Sequence, residues 1–342
     1  MLRVVQIQKD DERRVAVVDE PWLGLVDDFN SLYSLANSAI AQRKALSELI
    51  RQHVTDRLLG YDAIYNGESE WRLRVPLDNP TGPGGTLVSG TGLTHFGSAR
   101  DRQAMHAKVA TDDEQNLTDS MKMFRWGVEG GQPFAGQIGV APEWFYKGNG
   151  GILRAHGEPL EIPSYAEDGG EEAEIAGLYV VAPDGVPRRV GMAGGNEFSD
   201  HQFEKRNYLN LAGSKLRTCS LGPEIVIDPR FDSIAGEARI ERRDETGVRT
   251  IWSKAIRTGE AEMCHSLRNI EHHHFKFETH RRPGDVHVHY FGAHSLSFGD
   301  GVRLQDGDVM AIRWEGFGRP LRNAVRVIPK AAAKPIMAIS LE

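Results

Sequence analysis

Two carboxylates stand two residues apart, Glu172 and Glu174, at the head of the apolar run 175–181. Side chains two apart on a strand point to the same side, so this pair would repel unless something positive lies between them. A hard divalent cation, Mg²⁺ or Mn²⁺, meets that need because it takes oxygen ligands and keeps positions open for water and substrate. Taken alone, residues 171–174 read more readily as a solvated acidic turn. Two glycine-rich turns follow: Gly194-Gly195-Asn196-Glu197 brings a further acid, and Gly213-Ser214-Lys215 brings a lysine ahead of Leu221-Gly222-Pro223. Glu271 and the run His272-His273-His274 invite a zinc reading, but three consecutive strand residues cannot face one ion, so a solvated loop or strand edge is expected. His287 and His289 share a strand face and, with His294, are expected to form a pocket wall. Ser164, Ser199 and Ser220 lack a nucleophile elbow, and the glycine turns lack the Lys-Ser/Thr ending of a phosphate loop.

These groups must be held by a fold of mostly short strands. Residues 2–7 and 13–18 read as a hairpin around a charged turn at 9–12. From Asn30 as N-cap, apolar residues at Leu32, Leu35, Ala36, Ala39, Ile40, Leu46, Leu49, Ile50 and Val54 predict one helix of roughly seven turns. The breakers at 78–85 predict a boundary, giving an α+β N-terminal region at 1–85 and a mostly-β catalytic domain at 86–342. Strands are expected at 174–181, 224–227, 238–242, 249–252, 286–290, 309–314 and 324–327, folded over as mixed sheets in an α+β fold. Residues 330–334 are expected to be loose.

With 342 residues, 40% hydrophobic and 26% charged, the chain can bury a sizeable core. A net charge of −7 without a basic stripe argues against nucleic acid as a partner. No apolar run is long enough to span a bilayer, and the first residues lack a signal-peptide core, so neither membrane nor export is expected. Two cysteines, Cys219 and Cys264, suit a reducing compartment, and the expected location is the cytoplasm.

Taken in order, these segments resemble the fumarylacetoacetate hydrolase superfamily, whose C-terminal β-fold holds Mg²⁺ with a Glu-x-Glu pair and a later acid. The Glu-x-Glu pair falls on Glu172 and Glu174, and the Gly-Asn-Asp turn on Gly195-Asn196-Glu197, where glutamate replaces aspartate. The Pro-x-x-Phe-x-Lys segment falls on Pro142, Phe145 and Lys147, and the Gly-Lys turn on Lys215. Gly284-Asp285-Val286 and Leu304 to Asp308 match the later Gly-Asp patterns, so the resemblance runs from roughly residue 91 to 327.

The hydrolases' His-x-x-Glu dyad is missing a member, because no glutamate follows His106 at helical spacing. The substrate-binding Gly-Thr-Pro loop is also altered, with Gly292-Ala293-His294-Ser295 in its place. These departures, with Thr94-His95-Phe96-Gly97-Ser98, resemble the sugar-acid branch that includes 2-keto-3-deoxy-aldonate dehydratases. The resemblance implies a Mg²⁺-dependent hydro-lyase (Mn²⁺ as substitute) acting on a small 2-oxo acid, and a homodimer. Metal ligands would be Glu172, Glu174 and Glu197. Lys215, with a pKa lowered by burial beside the cation, would polarise the substrate or act as base, and His95 or His106 would relay the proton. Lys147, Ser98, Asn196 and His294 would contact substrate. A C–C hydrolase or decarboxylase of an acylpyruvate and a non-catalytic sugar-acid-binding protein are the rival readings.

Overall fold

β1 (Leu2–Lys9) and β2 (Glu12–Asp19) form the expected opening hairpin, turning at Asp10 with a φ of 51°. β3 (Trp22–Val26) and β4 (Val54–Gly60) extend it outward. The single helix expected from Asn30 to Val54 is instead two: α1 (Leu32–Gln42), capped by Ser31, and α2 (Leu46–His53). The break falls at Arg43, which is left-handed with a φ of 55°. An unbroken amphipathic helix needs an apolar residue at 43 or 44, where Arg43 and Lys44 stand.

The computed structural model describes residues 1–99, 118–332 and 334–341. The remaining strands are β5 (Arg72–Leu73), β6 (Thr86–Gly92), β7 (Glu143–Asn149), β8 (Leu153–Arg154), β9 (Leu160–Ile162) and β10 (Ala173–Val181). β11 (Pro187–Asn196), β12 (Cys219–Ile227), β13 (Ile234–Asp244), β14 (Gly247–Thr258), β15 (Val286–Tyr290), β16 (Val309–Trp314) and β17 (Leu321–Val327) complete them. Short helices intervene: α3 (Tyr61–Tyr65), α4 (Asp119–Gly130), α5 (His201–Arg206), α6 (Leu211–Lys215) and α7 (Leu267–Phe275). Among the described residues no helix is long and apolar enough to cross a membrane.

One sheet has twelve strands in the order β4-β3-β2-β1-β12-β11-β10-β15-β6-β7, with β5 on β1 and β8 on β12; the other runs β14-β13-β16-β17-β9. Parallel pairs at β15–β6, β12–β8 and β17–β9 make both sheets mixed. Ile175, Met192 and Val226 of the large sheet pack with Ile312 and Trp314 of the small one, while Leu32, Leu35, Leu49 and Ile50 of α1 and α2 share a core with Leu178, Val180 and Val288. β1 pairs with β12, so the N-terminal strands continue the large sheet. The buried Glu224 carboxylate fastens that junction by accepting from Arg3 (3.0 Å), the Tyr61 hydroxyl (2.9 Å) and the Arg319 backbone N–H (3.0 Å).

The run 272–274 is not a solvated loop or strand edge. It lies on α7, whose turn buries His273 and His274. His287 and His289 face a closed histidine cluster rather than a pocket: the rings of His289, His280 and His287 lie 4.4, 4.9 and 5.0 Å from that of His274. His289 bridges the hydroxyls of Ser89 (2.7 Å) and Thr91 (2.6 Å). Burial, with neighbouring histidines adding to it, pushes His287 and His289 down to about 3. An unfolded histidine takes up its proton near pH 6.5, whereas these rings stay neutral in the fold. The stability they contribute is therefore full above pH 6.5 and falls by about 1.4 kcal/mol per pH unit per ring as the pH drops toward 3. His289→Gln removes one such ring. Urea unfolding at pH 6.0, 5.2 and 4.5 should give a slope of unfolding free energy against pH that is shallower by about 1.4 kcal/mol per unit than in the parent protein. Equal slopes would mean that the folded protein already protonates His289.

Candidate metal centre

The acids are gathered by one hairpin. β10 and β11 pair antiparallel with Ala173 opposite Asn196 and Glu174 opposite Gly195, so Glu172, just before β10, meets Glu197, just after β11. The Glu197 N–H donates to the Glu172 carbonyl (3.0 Å), and the Glu172 N–H donates to Asn196 Oδ1 (3.1 Å). Carboxylate oxygens of Glu172, Glu174 and Glu197 lie within 4.8 Å of one another, and all three residues are buried. Residues 171–174 are thus no solvated turn. Even Glu171 is buried, accepting from the Ser297 N–H (2.7 Å) and hydroxyl.

Two lysines enter from other elements. Lys215, at the end of α6, donates from Nζ to Glu172 Oε1 (2.6 Å), Glu197 Oε2 (2.6 Å) and Ser199 Oγ (2.9 Å), and lies 4.7 Å from the centre of the Phe145 ring. Lys147 on β7 is wholly buried. Its Nζ is 2.5 Å from Glu197 Oε1 and donates to the carbonyls of Phe198 (3.1 Å) and Lys215 (2.9 Å). Glu174 is held differently, by the Gly292 backbone N–H on Oε2 (2.7 Å).

The charges sort accordingly. Burial pushes Glu172 upward, but Lys215 and His201 outweigh it and hold that carboxyl well below the usual range. Burial also raises Glu174, and there Glu197 and Glu172 add to it, leaving this acid well above the usual range. The depressed pKa expected for Lys215 is not found. Burial pulls it down, but Glu172, Glu197 and Glu204 prevail and hold it well above its ordinary value. Were all three acids ionised, three carboxylates against two ammonium groups would leave one negative charge in excess; the raised pKa of Glu174 means that this acid keeps its proton until a cation displaces it. Hard oxygen donors with uncompensated charge fit a Mg²⁺-like cation and not a soft one.

The other expected site residues are spread around this centre. His95 is wholly buried with Nδ1 at Thr94 Oγ1 (2.9 Å) and Nε2 at Thr258 Oγ1 (2.8 Å). Burial, with His294 adding to it, pushes this ring down to about 3. Thr94 also donates to the Phe291 carbonyl (2.7 Å), so Thr94 and His95 back the turn whose Gly292 N–H holds Glu174. Half-buried His294 follows on the same loop, its ring edge-on to His95 at 6.5 Å. Ser98 donates to the His95 carbonyl (3.0 Å). Asn196 uses both ends of its amide within the protein, Oδ1 on the Glu172 N–H and Nδ2 3.4 Å from Met310 Sδ. His106 lies outside the described residues.

Sequence reasoning missed two neighbours. His201 Nε2 lies 3.0 Å from Glu172 Oε1, a contact made by the fold across 29 positions that leaves no local pattern. Glu143 did leave one: Glu143, Phe145 and Lys147 are the alternate, inward residues of β7. Its carboxylate accepts from the Tyr208 hydroxyl (2.6 Å) and Ser120 Oγ (3.0 Å), and burial together with that carboxylate pushes the Tyr208 phenol above its ordinary pKa.

No protein-family model matches the chain, and no curated protein matches it. Solved structures do. A 2-keto-3-deoxy-D-arabinonate dehydratase complexed with magnesium and 2,5-dioxopentanoate superimposes with a TM-score of 0.68 at 18% identity, covering 96% of this chain and 100% of its own. Fumarylacetoacetate hydrolase from psychrophilic Exiguobacterium antarcticum superimposes with a TM-score of 0.58 at 17% identity, over 96% and 100% of the two chains. The fold is that of the fumarylacetoacetate hydrolase superfamily. A third structure with this fold, 2-hydroxyhepta-2,4-diene-1,7-dioate isomerase from Mycobacterium marinum, gives a TM-score of 0.55 at 15% identity, over 96% and 99%. Within this fold the acidic hairpin of the present chain is set into the large sheet, and the lysines reach it from β7 and α6.

Proposed function

We propose that this chain is a Mg²⁺-dependent hydro-lyase that dehydrates a 2-keto-3-deoxy sugar acid, with 2-keto-3-deoxy-D-pentonate (arabinonate) giving 2,5-dioxopentanoate as the preferred reaction. The observation that carries this reading is the buried Glu172–Glu174–Glu197 triad with Lys215 against it. The higher TM-score of the dehydratase than of the hydrolase or isomerase favours a lyase.

Glu172, Glu174 and Glu197 would hold the ion, for which Mn²⁺ can substitute; when bound, it supplies a Lewis acid for a 2-oxo acid. One negative charge of substrate and two positive charges of ion bring the count of three glutamates and two lysines to zero. Lys215, kept protonated by its acids, would turn one N–H from Ser199 Oγ to a substrate oxygen, a role its raised pKa suits better than that of a base. Glu143, two residues beyond Phe145 along β7 and so about 7 Å further out, is suitably spaced to handle the proton at C3. Lys147, Asn196 and His95 act by holding the acids and the Gly292 turn, and Ser98 and His294 stand beside that turn as substrate contacts.

We further propose a division near residue 85, a cytoplasmic location, and a homodimer. The buried free thiols of Cys219 and Cys264 support a reducing compartment, and exposed Trp126, Phe134 and Ile138 on and after α4 support an interface. Incubating the protein and Mg²⁺ with 2-keto-3-deoxypentonate tests the reaction by mass spectrometry. Loss of one water to a 2,5-dioxo product is expected. Unchanged substrate would refute the proposal, and two carboxylic products from an acylpyruvate would turn it to hydrolysis.

A further inference from the structure

We propose that His201 is a positioning residue that fixes which oxygen of Glu172 is offered to a metal ion; this rests on the metal-centre reading above. His201 is 6% exposed and its Nε2 lies 3.0 Å from Glu172 Oε1. The same oxygen accepts from Lys215 Nζ at 2.6 Å, so two donors occupy Oε1 and leave Oε2 as the oxygen available to the centre. A carboxylate held in this way presents one oxygen in one orientation, where an unrestrained glutamate would rotate among several.

The imidazole is itself held on three sides. The Phe298 ring lies 5.1 Å away at 45°. Gly170 lies against the other nitrogen, and a Cβ there would come within 2.4 Å of Nδ1. Gly170 is fixed to Ser199 by two backbone hydrogen bonds of 3.0 and 3.1 Å, and Asp200 caps α5, on whose first residue the ring stands. Nδ1 has no hydrogen-bond partner among the described residues, so Nε2 is the working nitrogen, and it carries a hydrogen because a carboxylate faces it. Lys215 already supplies positive charge to Glu172; what His201 adds is direction.

Mn²⁺ binding to the intact, chelator-treated chain, measured by titration calorimetry and by the loss of the free-ion electron paramagnetic resonance signal, tests this. His201→Phe keeps a ring between Gly170 and Phe298 but removes the donor, and should weaken Mn²⁺ binding by about 10- to 100-fold while the urea midpoint of the chelator-treated protein stays in place. His201→Gln, whose amide can return a donor to the same spot, should bind Mn²⁺ within about threefold of the parent. The inference is overturned if His201→Phe binds as tightly as the parent, or if both variants lose affinity and urea resistance together. Absence of Mn²⁺ uptake by the parent protein would remove the metal-centre reading itself, whereas equal uptake by parent and His201→Phe would remove only the role of His201.

Discussion

Glu174→Gln should reduce metal-dependent turnover by at least about 10³-fold and at the same time make the metal-free protein harder to unfold. The two effects have one cause. Of the three acids Glu174 is the one whose ionisation the protein opposes: burial, Glu197 and Glu172 all push its pKa up against the Gly292 N–H at 2.7 Å. Glutamine keeps the shape and can still accept that N–H through its amide oxygen, while the cost of holding an acid protonated in the fold disappears. Relief of this kind is worth about 1 kcal/mol, which in a chain of this size appears as a rise of about 2 °C in Tm in the presence of EDTA. Kinetics at saturating Mg²⁺ and calorimetry in EDTA check the pair. Retained turnover would place the metal elsewhere, and a fall in Tm would mean that Glu174 stabilises the fold through contacts its charge makes.

Lys147→Met acts in the opposite sense. Nζ of this lysine satisfies Glu197 Oε1 and the carbonyls of Phe198 and Lys215 in a site with no solvent access. Removing it takes that cation from Glu197, which keeps Lys215 on Oε2, and leaves two buried carbonyls short of a donor, a loss of about 2–3 kcal/mol in unfolding free energy. The double variant Lys147→Met/Glu197→Gln also removes the charge that Lys147 balanced and should recover part of that loss, although it forfeits a ligand. Urea unfolding of the single and double variants in EDTA is the measurement. Additive losses would show that Lys147 contributes by packing rather than by neutralising Glu197.

The opening hairpin and the acids could be read from the sequence because their signals are local. Strands β15 and β16 have the bounds their alternation predicts, and Glu172 and Glu174 share a space because strand geometry alone puts them there. β11 escaped notice because Gly191, Gly194 and Gly195 dilute its pattern, although the last of these lies opposite Glu174 and makes room for the Tyr290 ring. The histidines of 272–274 were misplaced because they were tried only at strand spacing, whereas helical spacing turns two of them inward. What no spacing reveals is which charges meet across elements. The raised pKa of Lys215 follows from two acids delivered by the register of β10 on β11, and the His201 contact follows from the placement of α5.

The loop carrying His294 is fastened at Gly292 to Glu174 and at Ser297 to Glu171. One of these anchors, Glu174, is an acid whose charge would be shared with a bound ion, and the other, Glu171, lies one residue before Glu172. Whatever draws electron density from Glu174 must slacken the grip of the Gly292 amide, and whatever strains the loop there must alter how well that carboxylate serves an ion. Under the proposed function, ion loading and admission of substrate would be coupled in both directions, with equal free energy each way.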